Sequence, residues 1–530
     1  MKKYIYDQIP YDIRAYPSAH PRNLAAIGAL YGLAAPPVDQ CRVLVLGCAQ
    51  GGNLFPMASL YAGSQFVGLD NSRRQIEAAR ATAAQLGLQN TTLHCMDIMD
   101  ADNSLGQFDY IIAHGIYSWI PAPVREQVFR ICKTLLSPNG IAYISYNTLP
   151  GWRINGIVRD IMLYRFSEHD DPVTGLGYAL DYLKTIANSS PAHNNPYMTL
   201  LKQIQTQVSA NNHTYLLHEY LSDINEAFYF HEIVEKGRGH GLQYLADAAF
   251  VGKELTSHSA QLNQRFQSIS KDMTDYEQHF DFVYKRLFRS SLFCHQDVSL
   301  HDTIPGEPPV TLYCSSMAQA VDLPPGQYPT GAMGFSNEQG NVMVETNPLF
   351  LDIMKLLTGI YPQALALTQL LKEVKNPDAQ DKDMPLLLGK LLRARAAGLI
   401  NITTDMPPIV TPGSRPPPHY KPLAAPFACL QASSGNVVVS AWNENVGLNP
   451  FSRQALALMD GTRNIQEIRQ ALLSRCAEGE LGLPGQDANP PHGVAERGAV
   501  EQSLETSLAF FSRAGLLISA AGGDHSGHSR

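Results

Sequence analysis

Cysteine is sparse and unpatterned. The 530 residues hold 8, at positions 41, 48, 95, 132, 294, 314, 429 and 476, and no two form a C-x-x-C pair. Cys48, Cys95 and Cys132 stand in apolar or turn contexts. The expectation is a reduced, cytoplasmic protein without a zinc finger. Basic charge is not in excess either: a net charge of −8 argues against broad electrostatic binding to nucleic acid or to an anionic membrane. No apolar run reaches the roughly 18 residues that span a bilayer. The opening residues Met1-Lys2-Lys3-Tyr4-Ile5-Tyr6-Asp7 have no apolar core, which predicts no signal peptide. The pairs His218-Glu219 and His231-Glu232 do not complete H-E-x-x-H, since Ser222 and Glu235 stand where the second His would be. They read as packing or surface residues, and no metal site is expected. What is present is an ordinary globular composition, 45% hydrophobic and 17% charged, in a chain long enough for three or four domains.

The rest of the chain is organised around Val43-Leu44-Val45-Leu46-Gly47-Cys48-Ala49-Gln50-Gly51-Gly52-Asn53. Four apolar residues in a row suit a strand covered on both faces. The small residues that follow let backbone approach a ligand closely, and the next helix offers free N–H groups to an anion. Alone, this turn could serve a dinucleotide, S-adenosylmethionine, or only a tight bend.

From Arg42 to Tyr146 strand and helix patterns alternate. Strands are predicted at 42–46, 65–70, 91–95, 108–113 and 140–146, and helices at 53–62, 72–86 and 121–136. The fold class is therefore α/β, a doubly wound Rossmann-like parallel sheet whose ligands bind at the carboxyl ends of its strands. Asp70 ends the second strand, where a carboxylate can accept both ribose hydroxyls. Asp97 follows the third and can meet an adenine amino group, with Ile98 packing on the ring; a carboxylate there can also simply cap the next turn. A dehydrogenase would use Gly47, Gly52 and Asp70 but needs no Asp97-Ile98 pair.

Leu-Gly-Cys-Ala-x-Gly-Gly-Asn, Val67-Gly68-Leu69-Asp70, Phe108-Asp109-Tyr110-Ile111 and Leu135-Leu136-Ser137-Pro138-x-Gly140 resemble the motif series of class I S-adenosylmethionine-dependent methyltransferases. Tyr6-Asp7-x-x-Pro10-Tyr11 with His20-Pro21, Ala113-His114-Gly115-x-Tyr117-Ser118-Trp119, and Ser145-Tyr146-Asn147-x-x-Pro150-Gly151-Trp152 look like one subgroup of them. His218-Glu219-Tyr220-Leu221 and Phe228-Tyr229-Phe230-His231-Glu232 are similar to it too. That subgroup carries a methyltransferase regulatory domain and includes rickettsial protein-lysine methyltransferases that act on outer-membrane proteins. The resemblance covers roughly residues 4 to 300, and the remainder more loosely. It implies S-adenosyl-L-methionine as cofactor, held by Gly47, Cys48, Ala49, Gly51, Asn53, Asp70, Asn71, Gln75, Asp97, Ile98 and His114. The family usually has an acid where Val45 stands and Gly where Ala49 stands, so a relative that binds the cofactor without turnover remains an alternative.

A protein-lysine acceptor is the expected substrate; a small molecule is the alternative. A lysine nucleophile must shed a proton although its free pKa is about 10.4, and aromatic walls can hold an ammonium while excluding water. Tyr117, Trp119, Tyr146 and His114 are the catalytic candidates, with Tyr6, Tyr11 and Trp152 near the same mouth. His114 is read as base or as a cap on adenine and backbone, with the cap preferred.

The expected division is an arm and helix over 1–35, the catalytic domain over 36–152 and a helical regulatory domain over 153–300. Within it helices are predicted at 154–166, 177–187, 196–208, 229–237 and 276–290. A proline-bearing boundary follows at 296–335. Two winged-helix-like modules occupy 335–406 and 420–520, before a tail at 521–530 expected to be disordered. The modules form a repeat. Asn347-Pro348 and Asn449-Pro450 each start an apolar helix, and the ending Ala397-Gly398-Leu399-Ile400 recurs in the second unit as Ala514-Gly515-Leu516-Leu517. With only Lys390, Arg393 and Arg395 in one last helix and Arg513 in the other, they are expected to dock a protein substrate or form a homodimer, not to bind DNA. Truncation from about residue 335 is then expected to raise KM for protein far more than it alters cofactor affinity.

Overall fold

The structure is a computed structural model that describes residues 9, 13–189, 195–249, 260–301, 310–337, 340–374, 384–410, 417–484 and 497–519. The expectations for Tyr6, Tyr11 and the 521–530 tail lie outside the described residues.

In chain order the catalytic elements are α1 (Pro21–Leu30), β1 (Arg42–Leu46), α2 (Phe55–Leu60), β2 (Gln65–Asp70), α3 (Arg73–Gln85), β3 (Thr91–Cys95), β4 (Phe108–Ala113), α4 (Ala122–Leu135) and β5 (Leu136–Asn147). Helices α5 (Trp152–Phe166), α6 (Pro172–Asn188), α7 (Pro196–Ser209), α8 (His213–Glu219) and α9 (Phe230–Gly239) follow, then β6 (Leu242–Asp247), α10 (Ala260–Ile269), α11 (Met273–Tyr284) and β7 (Phe288–His295). One seven-stranded sheet has the order β3-β2-β1-β4-β5-β7-β6. The first five strands are parallel and β7 is antiparallel to both β5 and β6.

Strands β1 to β4 occupy the residues expected of them. The fifth is longer than expected: pairing with β4 starts at Leu136 opposite Phe108 and shifts register before Ile141 opposite Tyr110. Asp109 anchors that irregular stretch, its Oδ1 accepting from Ser137 Oγ at 2.8 Å and its Oδ2 from Arg42 N at 2.8 Å.

Residues 153–300 are mostly helical, as expected, but two strands stand among the helices. β6 and β7 complete the catalytic sheet, and the helix expected over 276–290 ends at Tyr284. Lys285 turns left-handed there, with φ of 51°. The new strand is fastened by charge. Arg289 is wholly buried, donates from Nε and Nη2 to the two oxygens of Asp281 at 2.8 and 3.0 Å, and from Nη1 to Glu277 Oε2 at 2.9 Å. Its guanidinium also lies 3.8 Å over the Phe230 ring.

Beyond the sheet come β8 (Tyr313–Ser315), β9 (Gln319–Val321), β10 (Met333–Ser336), β11 (Val342–Glu345), α12 (Pro348–Ile360), β12 (Leu365–Ala366), α13 (Leu367–Glu373), α14 (Met384–Ala396) and β13 (Asn401–Thr403). β8 sits between β12 and β13, so strand pairing reaches back into the stretch read as a boundary. The last elements are α15 (Pro426–Ala432), β14 (Val437–Val439), β15 (Asn445–Gly447), α16 (Pro450–Ala457), α17 (Ile465–Ala477) and α18 (Arg497–Arg513). The repeat's signals are physical: Asn347 Oδ1 caps α12 through Phe350 N at 2.9 Å, and Asn449 Oδ1 caps α16 through Ser452 N at 2.8 Å. Gly398 and Gly515 end α14 and α18 at φ of 71° and 65°.

Candidate functional site

The turn after β1 is left-handed three times, at Gly47, Ala49 and Gly51, with φ of 66°, 47° and 82°. Glycine takes such angles freely, whereas an alanine there is strained and needs a hold. Asp70 supplies it: Oδ2 accepts from Ala49 N at 2.9 Å while Oδ1 accepts from Ser72 N at 2.9 Å. The carboxylate at the end of β2 thus fixes the turn at the end of β1. A Cβ on Gly52 would come within 2.8 Å of the backbone N and O of Arg14, so the N-terminal arm lies directly on the turn. Asn53 Oδ1 accepts from Tyr16 N at 3.0 Å and from Asn443 Nδ2 at 3.3 Å. Val45 is buried in the core, opposite Gly68 and Ile112, so no acid reaches the site from that position.

Two side chains of the expected cofactor set hold buried polar atoms without a partner among the described residues: Asn53 Nδ2, a donor, and Gln75 Oε1, an acceptor. Buried polar groups are ordinarily satisfied, so these two fit a ligand that both accepts and donates. Cys48 contributes backbone rather than thiol chemistry. Its N donates to Leu69 O at 2.9 Å, and burial and then Asp70 push its thiol pKa up. Asp97 is exposed, and its Oδ1 caps the following turn through Met99 N at 2.9 Å. Ile98 is half-buried and Asn71 is exposed.

At the end of β4, His114 sits under the Tyr16 ring, centroids 3.7 Å apart. Its Nδ1 meets Tyr143 Oη at 2.9 Å and Ser145 Oγ at 3.2 Å. Burial pushes its pKa down to about 3, so the ring is neutral and too weak a base to deprotonate an ammonium.

The aromatic candidates divide. Tyr117 and Tyr146 are wholly buried and pack edge-on to each other, with Phe228 against both. They form the floor beneath the strand ends instead of walls open to an acceptor, because α4 and α9 cover that face of the sheet. Tyr146 Oη pairs with Ser291 Oγ of β7 at 2.8 Å, whereas Tyr117 Oη has no partner among the described residues. Trp119 is half-buried. Trp152 is buried at 6.0 Å from the Tyr220 ring, with Nε1 unpartnered.

Sequence reasoning did not single out Tyr16, whose ring lies against His114, or Asn147, wholly buried at the end of β5. Asn147 lies within the Ser145-Tyr146-Asn147 run, a signal that was there to use. Tyr16 reaches the site only through folding of the arm, and no local pattern marks it.

Comparisons with known proteins follow this layout. Residues 37–170 match a family described as a methyltransferase domain, 212–295 a predicted methyltransferase regulatory domain, and 421–516 the PKMT C-terminal winged helix domain. An uncharacterised protein of Rickettsia prowazekii is 32% identical over 489 residues, 90% of this chain and 87% of its own. The solved structure of PKMT2 from Rickettsia typhi superposes with a TM-score of 0.83 at 28% identity, covering 96% of this chain and 100% of that one. The same protein in complex with AdoHcy gives 0.82 at 27%. A ubiquinone biosynthesis O-methyltransferase of Haemophilus ducreyi is 29% identical over 108 residues, 20% of this chain and 44% of its own.

Proposed function

Because the chain belongs to the family of S-adenosylmethionine-dependent methyltransferases that carry a regulatory domain and a PKMT-type winged-helix domain, we propose that it methylates a lysine side chain of a protein. The observation that carries this reading is the reach of the likeness. To PKMT2 it runs through the whole chain, docking-sized modules included. To a small-molecule O-methyltransferase it is confined to one fifth. More than half of the chain lies outside the catalytic sheet, which is ample surface to seat a protein and far more than a metabolite needs.

Bound S-adenosylmethionine supplies an electrophilic methyl group on a positively charged sulfur. The chain's part is alignment and exclusion of water, since in-line placement of nucleophile and methyl accounts for most of the acceleration. The Gly47–Gly51 turn and Asn53 Nδ2 hold the methionine end. Asp70, at the carboxyl end of β2, accepts the ribose hydroxyls. Asp97 and Ile98 take the adenine. His114, neutral, caps the same end through Tyr143 and Ser145.

Calorimetry with S-adenosylhomocysteine tests the cofactor half. Asp70→Ala frees both the ribose contact and the strained Ala49 turn, so affinity should fall at least a hundredfold, about 3 kcal/mol. Full binding by that variant would count against the site. Tritiated methyl transfer into a lysate tests the other half. Val45 favours a second reading, a protein that binds the cofactor without turnover, and that reading predicts no labelled band.

A further inference from the structure

Several polar groups are left without partners where the end of β5 meets α8. Asn147 is wholly buried and its Oδ1 accepts no hydrogen bond among the described residues. Its Nδ2 donates to Asn225 Oδ1 at 3.1 Å, and Asn225 Nδ2 in turn donates to the backbone carbonyl of Glu219. That two-step link sets the last residue of α8 beside the last residue of β5. The Glu219 carboxyl is half-buried and makes no hydrogen bond or ion pair among the described residues. Tyr215 and Tyr220 flank it on its own segment, and the Trp152 ring faces Tyr220. Tyr16 of the arm bears on the ionisation of Tyr215 from the other side and covers His114. The cation at hand, Arg159 of α5, is committed to the carbonyls of Tyr220, Ser222 and Asp223. Asp223 and Glu226 of the next loop are exposed. The groups gathered here are the two acceptors, the aromatic faces and one donor, Trp152 Nε1.

We propose that Glu219 and Asn147 form the subsite for the methyl-accepting amine, with Asn147 Oδ1 accepting one N–H and the Glu219 carboxylate taking the proton that frees the nitrogen lone pair. This rests on the lysine reading above. The ammonium gives one proton to Glu219, leaving a neutral amine and a carboxylic acid. The amine nitrogen then forms the N–C bond as the methyl–sulfur bond breaks, and that electron pair stays on sulfur. The methylated nitrogen departs as a cation, and the Glu219 proton returns to water. An ordinary glutamate is a poor partner for an amine. Here burial lifts Glu219 to about 7, and the same removal from water lowers the pKa of an amine beside it, so the two approach each other. His114, pushed the opposite way, cannot do this.

The experiment uses the full chain. Labelling with tritiated S-adenosylmethionine and mass spectrometry of the labelled band identify the acceptor residue. Initial rates on that band from pH 6 to 9 then compare wild type with Glu219→Gln, Glu219→Asp and Asn147→Ala. The expected result is a wild-type kcat that rises with pH through about 7. Glu219→Gln should lose roughly a hundredfold or more in kcat, together with that inflection. Glu219→Asp should recover part of the rate, and Asn147→Ala should raise KM more than it lowers kcat. S-adenosylhomocysteine affinity should stay within about twofold for both Glu219 variants. Wild-type kcat and pH profile in Glu219→Gln on a lysine acceptor would overturn the inference, as would a parallel loss of cofactor binding. Label on a hydroxyl or a metabolite overturns the lysine reading itself, and that outcome is distinct from either.

Discussion

His114 and Glu219 are both taken out of water, and burial moves them in opposite directions, the imidazole down to about 3 and the carboxyl up to about 7. In each case the neutral form is the one favoured. For Glu219 this has a consequence for stability that is independent of catalysis. Its folded pKa lies above the unfolded value, so between about 4.5 and 7 the folded state binds more protons and stability falls as pH rises. The contribution is present in full below the unfolded pKa and gone above the folded one. Glu219→Gln should therefore be nearly neutral at pH 4.5 and stabilising at pH 8, by on the order of 2 kcal/mol once water at the partly exposed edge is allowed for. Thermal melts at the two pH values would show it, and an unchanged difference would mean that the carboxyl is solvated. Little of this was legible in the sequence. Asp70 and the glycines stand out because a strand end and a tight turn are local signals. Glu219 and Asn147 are brought together by Asn225, and their burial is a tertiary fact.

At the scale of elements, β1 to β4 were legible to the residue because short runs rich in apolar and β-branched residues, set between turn residues and alternating with helical patterns, admit few other readings. β6 and β7 were not. The helix before β7 carries an apolar face that continues past its end, and the residue that stops it is Lys285, not a glycine or proline. A non-glycine in left-handed conformation leaves no mark in a sequence. Nor does β7 read as a central strand, since Phe288-Arg289-Ser290-Ser291 places an arginine where the sheet is buried. That arginine is tolerated because Asp281, Glu277 and, at 3.6 Å, Asp247 surround it. Taking out Arg289 leaves Glu277 without its cation and Asp281 and Asp247 with Arg286 alone, at 3.3 and 3.7 Å, so Arg289→Met should cost about 3 kcal/mol. Because β7 lies between β5 and β6, the loss should appear as a lowered urea midpoint for the whole sheet. A midpoint within error of wild type would mean that the cluster contributes no net stability.

Across the whole molecule, the C-terminal module is tied to the cofactor turn, and this changes what truncation can report. Asn443 donates to Asn53. Asn445 clamps Ala15 twice, accepting from its N at 3.1 Å and donating to its O at 2.8 Å. Arg22 donates to Ala441 O at 3.0 Å, and Phe427 packs on Phe55 of α2 with ring centroids 5.8 Å apart. The first module joins the same junction: Tyr61 Oη donates to Asp405 Oδ2 at 2.5 Å, and Arg395, one of the few basic residues of α14, turns inward to Asn23. Pairs this far apart along the chain leave no trace in local pattern, which is why the sequence suggested modules that dock a substrate or form a homodimer and gave no sign of contacts to the cofactor turn. Removing residues from 335 onward strips these contacts from the arm that lies on Gly52, so cofactor affinity should fall along with substrate binding, contrary to the expectation of an isolated KM effect. A point change separates the two. Asn445→Ala removes two hydrogen bonds to the arm, each contributing about 1 kcal/mol net, while the apolar core of its own module stays intact. S-adenosylhomocysteine should then bind roughly tenfold more weakly, in step with the share of arm ordering lost. Unchanged affinity in that variant would show that the arm holds its place on the turn without the module, and the truncation would again measure docking alone.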